Sequence, residues 1–141
     1  RKRSEMAWRR KGSEQGSSMA EAAITLPVVV LLTFAMVNLA MAWYAAVAAS
    51  NAANYGARVG SVSQTNPTGN AVAAAQGRLD TITVGTYAIS ANGGGYRGAQ
   101  VNVLVEWAVP NYIGSLITYI GGGDQMNFAG TALSTFRQEG W

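Results

Sequence analysis

The feature that most constrains this chain is an uncharged stretch of 34 residues, 22–55. Its central part, residues 22–49, exceeds the ~20 apolar residues that span a bilayer as an α-helix. A buried core helix seldom runs this far without a charge, and the apolar part of a secretory signal has only ~7–15 residues. Arg9, Arg10 and Lys11 precede the stretch, and positively charged flanks stay on the cytoplasmic side. The sequence therefore predicts a membrane-spanning helix with its N-terminus inside and its C-terminus outside.

The helix is expected to continue beyond the membrane. Residues 50–61 remain rich in alanine but become amphipathic, with the first charge at Arg58 and a glycine stop at Gly60. A helix from about residue 18 to residue 59 would be ~60 Å long, twice the thickness of the hydrocarbon core. Half of it would stand outside the bilayer.

The remaining sequence predicts a small head. Residues 63–70 have the composition of a loop, 71–79 of a short helix, 81–90 of a strand and 91–98 of a glycine-rich hairpin connection. The clean alternation after Gln100 indicates a strand with one apolar face, made of Val101, Val103, Val105, Trp107 and Val109. Ile113, Leu116, Ile117 and Ile120 have helical spacing, and residues 128–137 form the predicted last strand.

These elements predict an α+β protein in which a long N-terminal helix is followed by a small antiparallel sheet of roughly three strands. The expected organisation has three parts. Residues 1–16 form a basic arm or leader, residues 17–60 the hydrophobic helix, and residues 61–141 the head domain.

Composition excludes most enzyme classes. The chain has no histidine and no cysteine, which excludes Ser-His and Cys-His pairs, thiolate zinc sites and disulfides. The only lysines are Lys2 and Lys11, both near the N-terminus. We therefore expect no enzyme activity, no cofactor and no metal site.

The net charge of +3 comes from the arm. Residues 1–16 carry six Lys/Arg and two Glu, whereas residues 17–141 carry four Arg and five acids. A nucleic-acid-binding protein would spread basic residues over a folded face, so no nucleic-acid partner is expected.

Three segments carry a resemblance to a known family. Residues 16–27 (GSSMAEAAITLP) resemble a type IV prepilin peptidase site, in which Gly16 ends the leader, Ser17 follows and Glu21 takes the fifth position. Residues 51–61 (NAANYGARVGS) are similar to the N-A-A-x-x-G-A-R run of TadE-like proteins. The third segment is the tail, in which VEWAVPNYIGSLITYIGGG precedes a last strand that closes with STFRQEG. The chain thus resembles pilin-like proteins of the TadE type, from the tight-adherence secretion system.

This resemblance implies a structural subunit of an extracellular surface filament, which polymerises through its hydrophobic helix and serves cell adhesion. The implied partners are further copies of the chain in a helical assembly, the inner membrane before assembly, a prepilin peptidase cutting between Gly16 and Ser17, and pilus assembly proteins. Two alternatives stay open. One is a minor TadE-type pseudopilin of the assembly machine, and the other is a monomeric, single-pass membrane-anchored binding module.

Glu21 is expected to take part in assembly. It is the only acid between Gln15 and Asp80, and an unpaired carboxylate is costly to bury. The resemblance implies that the amine of Ser17 on an adjacent subunit is its partner after cleavage. If the arm is retained, a cation among Arg9, Arg10 and Lys11 must serve instead.

Two further helix positions are expected to matter for assembly. Pro27 lacks a backbone N–H and crowds the carbonyl of Ala23, which predicts a kink or local melting. Such a proline either makes the helix locally deformable, which would let subunits slide, or is one that a transmembrane helix simply tolerates. Ala46 is expected in the filament core, where twelve alanines of residues 22–57 would let neighbouring helices approach closely.

Overall fold

The computed structural model describes the backbone of residues 2–119, 121–122 and 127–139, and the side chains of residues 16–114, 118, 121–122 and 127–139. In chain order the elements are α1 (Lys2–Val62), α2 (Pro67–Leu79), β1 (Thr86–Gly93), β2 (Gln100–Val109), α3 (Tyr112–Tyr119) and β3 (Phe128–Arg137). The chain divides into two compact units, Arg1–Val37 and Asn38–Trp141. The predicted α+β class, a long apolar helix followed by a small antiparallel sheet, is confirmed.

The sheet has the strand order β1-β2-β3, and both pairings are antiparallel. The predicted apolar face of β2 is confirmed, because Val101, Val103, Val105 and Val109 are fully buried and Trp107 is half-buried. These valines meet small residues of the two helices that cover the sheet. The resulting core consists of Ala49, Ala52, Ala53, Ala57, Ala71, Ala75, Leu79 and the first three valines. Small helix residues allow the backbones to approach closely.

Helix α1 ends at Val62, two residues later than the stop expected at Gly60. Gly60 has no left-handed backbone conformation, so it does not act as a C-cap. The last turn is closed instead by hydroxyls, since Ser61 Oγ donates to the Arg58 carbonyl at 2.8 Å and Ser63 Oγ donates to the Val59 carbonyl at 2.7 Å. Helices commonly satisfy their terminal carbonyls with such local donors.

Helix α2 begins at Pro67, four residues before the helix start expected at residue 71. Asn66 is its N-cap, and its Oδ1 accepts a hydrogen bond from the Gly69 N–H at 3.2 Å. Proline suits the first helical turn because its missing N–H would have no intrahelical partner there. Residues 67–70, which were predicted as part of a loop, therefore form the start of α2, and Asn66 caps it.

Strand β1 covers Thr86–Gly93, so the prediction of a strand over residues 81–90 was wrong for its first half. Gly85 adopts φ 84°, which breaks the extended backbone immediately before Thr86. The β-branched residues before it form the connection from α2, in which the Ile82 N–H donates to the Leu79 carbonyl at 2.8 Å. Strand β3 has the bounds expected from the sequence.

Candidate membrane and assembly surface

Within residues 16–37 of α1, almost every large apolar side chain is exposed. The helical segment Gly16–Val62 is long and apolar enough to cross a membrane, with a mean hydropathy of 2.2 in its most apolar window, only 6% of which is buried. Nothing in the described fold covers these side chains. This pattern is that of a membrane anchor.

The predicted processing and pairing residues lie on this segment. Gly16, Ser17 and Glu21 are exposed, and no described atom lies within 4 Å of the position a Cβ on Gly16 would take. The side chains of the three arm cations named as partners for Glu21 lie outside the described residues. Processing at Gly16 and pairing of Glu21 therefore stay predictions.

The backbone is α-helical on both sides of Pro27 and through it. Of the two expected outcomes, a kink or local melting, melting does not occur in this structure. Two threonines flank the proline, and their hydroxyls donate to carbonyls one turn earlier: Thr25 Oγ1 to Glu21 O and Thr33 Oγ1 to Val29 O, each at 2.8 Å.

From Asn38 onward, one face of α1 is buried by the chain's own head. The buried alanines of this face are Ala42, Ala45, Ala49, Ala52, Ala53 and Ala57. The interpretation that alanines along the whole helix serve contacts between subunits was therefore wrong for these six, which pack within the subunit. Ala46 is half-buried at the edge of the same face, and its role in assembly stays a prediction.

The run at residues 51–61 forms the contact between α1, α2 and the sheet. A Cβ on Gly56 would stand 2.6 Å from the Ala71 carbonyl oxygen, and a Cβ on Gly60 would stand 2.9 Å from Ala71 Cβ. Asn54 joins β3 to the helix by accepting a hydrogen bond from Ser134 Oγ at 2.7 Å. The similarity of this run to the family pattern thus corresponds to a close helix crossing inside the head.

The opposite face of α1 carries an apolar stripe, which we define as Leu39, Trp43 and Val47. These residues follow one another at four-residue spacing and are 64%, 73% and 42% exposed. Ser50 and Asn51 come next along the helix and are polar and exposed. Sequence reasoning missed the stripe because a hydrophobic period cannot show in a segment where almost every residue is apolar.

A buried amide connects α1 to α3. Asn38 is 1% exposed, and its Oδ1 accepts a hydrogen bond from the Tyr112 N–H at 3.1 Å. The Asn111 Oδ1 accepts from the Gly114 N–H at 3.0 Å, so two amides in the first turn of α3 are capped by side chains. Asn38 Nδ2 is buried and has no hydrogen-bond partner among the described residues. The signal that could have revealed this site is that Asn38 is the only asparagine in residues 22–50.

The head presents little reactive chemistry. The Tyr87 hydroxyl donates to the Val84 carbonyl at 2.7 Å, and burial, with a further contribution from the nearby Tyr44, raises the pKa of Tyr87. Residues of all three strands line an open groove of about 530 Å³, in which Glu106 is the only carboxylate among the lining residues. Among the described residues, no group of three His, Cys, Asp or Glu could hold a metal ion.

The fold and this surface define a class of protein in which one long apolar helix anchors a small α+β head. Residues 16–58 match the model of the family described as TadE-like protein. The predicted resemblance to TadE-like proteins is confirmed for this segment, which covers 43 of the 141 residues. The match includes Glu21 and the run from Asn51 to Arg58, while the tail lies outside it. No curated protein and no solved structure matches the chain significantly.

Proposed function

We propose that the chain is a structural subunit of an extracellular surface filament, which polymerises through α1 after insertion into the inner membrane with its N-terminus inside. The observation that supports this is an excess of exposed apolar helix. Large apolar side chains are exposed from Met19 to Val47, whereas ~20 helical residues suffice to cross the hydrocarbon core. The exposed apolar part of α1 is thus longer than the part that the hydrocarbon core would cover, which favours a helix covered by neighbouring copies as well as by lipid.

Assembly would transfer the helix from lipid to protein, and the predicted residues then acquire distinct roles. Cleavage after Gly16 by a prepilin peptidase would free the amine of Ser17 to pair with Glu21 of an adjacent subunit. Pro27 would make the helix easier to bend at this point, because a proline removes one backbone hydrogen bond. The heads would lie outside, where they are available for adhesion, and no cofactor is required.

The two alternatives differ from this proposal in what covers α1 outside the membrane. A membrane-anchored binding module needs no neighbour, and the alanine-rich face does not argue against it, because the subunit's own head covers that face. The outer end of the apolar stripe does argue against it, since a monomeric module would leave Val47, which lies beyond the residues that lipid can cover, exposed to water. A minor pseudopilin would use the same contacts as a major subunit and differ in abundance.

The experiment that tests the proposal combines filament composition with one charged substitution. Filaments sheared from cells should contain this chain as the main protein, with an N-terminus at Ser17. Val47→Asp should abolish filaments while the protein stays in the membrane fraction, because the charge would be stranded between neighbouring helices. Ala46→Asp should have the same effect, although its half-buried position also tests folding of the head.

Ala73→Asp on the exposed face of α2 is the matched control, since it adds the same charge to a helix of the head. Filaments should form normally in this variant. Normal filaments from Val47→Asp would exclude the stripe from the core, and the wild-type chain at trace level in filaments would favour the minor pseudopilin.

A further inference from the structure

Three exposed aromatic side chains lie where α1 meets the start of α3. Trp43 and Tyr44 on α1 are 73% and 50% exposed, and Tyr112 at the start of α3 is 53% exposed. The hydrogen bond from the Tyr112 N–H to Asn38 holds the start of α3 within two helical turns of Trp43. We call Trp43, Tyr44 and Tyr112 the aromatic collar.

The position of the collar along α1 coincides with the expected outer surface of the membrane. Glu21 is the last charge before the apolar stretch, and the 20 residues 22–41 that follow it are enough for the ~30 Å hydrocarbon core. The headgroup region adds about 5–8 Å on each side, or roughly four helical residues. Trp43 and Tyr44 fall in that layer, and Trp and Tyr are enriched there because one part of each ring system is apolar and another part hydrogen-bonds.

The start of α3 is suited to the same depth. Backbone amides near hydrocarbon must be hydrogen-bonded within the protein, since water is scarce there. Asn38 and Asn111 satisfy the amides of Tyr112 and Gly114, and α3 carries no charged residue. A helix start with capped amides and no charge can rest at the edge of the lipid at low cost.

We infer that the head docks on the outer leaflet of the membrane through the aromatic collar before assembly. This inference rests on the proposed function for the insertion and orientation of α1, and it adds a lipid surface as a specific partner of the head. Contact at three points around the helix would fix the depth and tilt of the head. It would also leave Val47, one turn beyond Trp43, above the lipid and accessible to an incoming subunit.

Trp43 itself serves as the probe. The full chain, with Trp8, Trp107 and Trp141 replaced by Phe, is reconstituted at a low protein-to-lipid ratio into phosphatidylcholine–phosphatidylglycerol vesicles. The lipids carry bromine either near the headgroup end or near the middle of the acyl chains. We expect the shallow bromines to quench Trp43 more strongly than the deep ones, with weak quenching by aqueous acrylamide.

Strong acrylamide quenching without lipid quenching would overturn the inference, because the head would then stand off the membrane. Stronger quenching by the deep bromines would overturn it too, since the collar would lie inside the hydrocarbon. Lipid quenching that falls as the protein-to-lipid ratio is raised would assign the collar to contacts with a second copy instead. Release of the chain from the vesicles by alkaline carbonate would refute the membrane anchoring on which the proposed function depends. A wrong depth of Trp43 in a chain that stays bound would refute only the docking of the collar.

A second measurement keeps all four tryptophans. Because the chain has no cysteine, a single introduced thiol reports on its own position. Tyr112→Cys in vesicles should react more slowly with a membrane-impermeant maleimide than Gln100→Cys, an exposed position at the opposite end of β2. Both thiols should react at the same rate in denaturant. Equal rates in vesicles would contradict docking at the collar.

Discussion

At the scale of single residues, the packing of α1 against α2 depends on the absence of side chains at Gly56 and Gly60. A Cβ on Gly60 would stand 2.9 Å from three atoms that cannot move easily: the Pro67 carbonyl oxygen, Ala71 Cβ and Val101 Cγ1. Real Cβ contacts are longer, so an added methyl group must displace α2 or β2. These glycines are therefore required by packing and not by backbone conformation, because neither has a positive φ.

Gly60→Ala should lower the free energy of unfolding of the head by about 1–3 kcal/mol through overpacking. Gly77→Ala is the matched control, because it lies inside α2 and no described atom comes within 4 Å of its added Cβ. This control should raise stability by about 0.5–1 kcal/mol, as alanine favours the helix. Urea titration of the full chain in detergent, followed by near-ultraviolet circular dichroism, measures both. Equal stability of Gly60→Ala and the wild type would show that the helix crossing is looser than the structure indicates.

At the scale of elements, a hydrogen bond to Asn38 joins the start of α3 to α1. Asn38→Ala removes the acceptor of the Tyr112 N–H, at a net cost of about 1 kcal/mol, because the unpartnered Nδ2 is removed at the same time. Hydrogen exchange of the α3 amides should then be about fivefold faster, while the β2 amides stay unchanged. Asn51→Ala, at an exposed position of the same helix, should change neither. Unchanged exchange in α3 of the Asn38 variant would show that Asn38 does not hold it.

The elements also show what could be predicted from the sequence. The alternation in β2 was readable because this strand has one buried face, which imposes a period of two. Strand β1 was misplaced because β-branched composition is local, whereas Gly85 interrupts the extended backbone and pairing with β2 begins only at Thr86. The sequence could not show which face of α1 is buried by the head. Alanine suits contact with lipid, with a neighbouring subunit and with the subunit's own head alike.

At the scale of the whole molecule, the two parts of α1 present different surfaces. Residues 16–37 are apolar almost throughout and suit lipid, whereas the part of α1 in the second unit divides into a face buried by the head and an exposed apolar stripe. The candidate site is thus an extended surface. Charge singled out Glu21 in the sequence, whereas the exposed stripe could not be recognised among residues that are almost all apolar.

Glu21→Gln should leave membrane insertion intact and reduce filament yield. Before assembly the carboxylate lies where the apolar stretch begins, and headgroups and water can solvate it there. In a filament the headgroups are gone, so a cation of a neighbouring subunit must compensate for the lost solvation. Glutamine keeps the shape and removes the charge. A lost pairing of about 1.4 kcal/mol per subunit would weaken each addition step about tenfold.

Glu106→Gln is the matched control, because it removes an exposed carboxylate from the outer face of the head sheet, far along the sequence from the anchor. Its filament yield should equal that of the wild type, as should the membrane-bound amount of both variants. The assay is quantification of sheared filaments against carbonate-resistant membrane protein in the same cells. A wild-type ratio for Glu21→Gln would mean that the charge contributes nothing to subunit addition. A loss of the protein from the membrane would instead assign Glu21 to insertion.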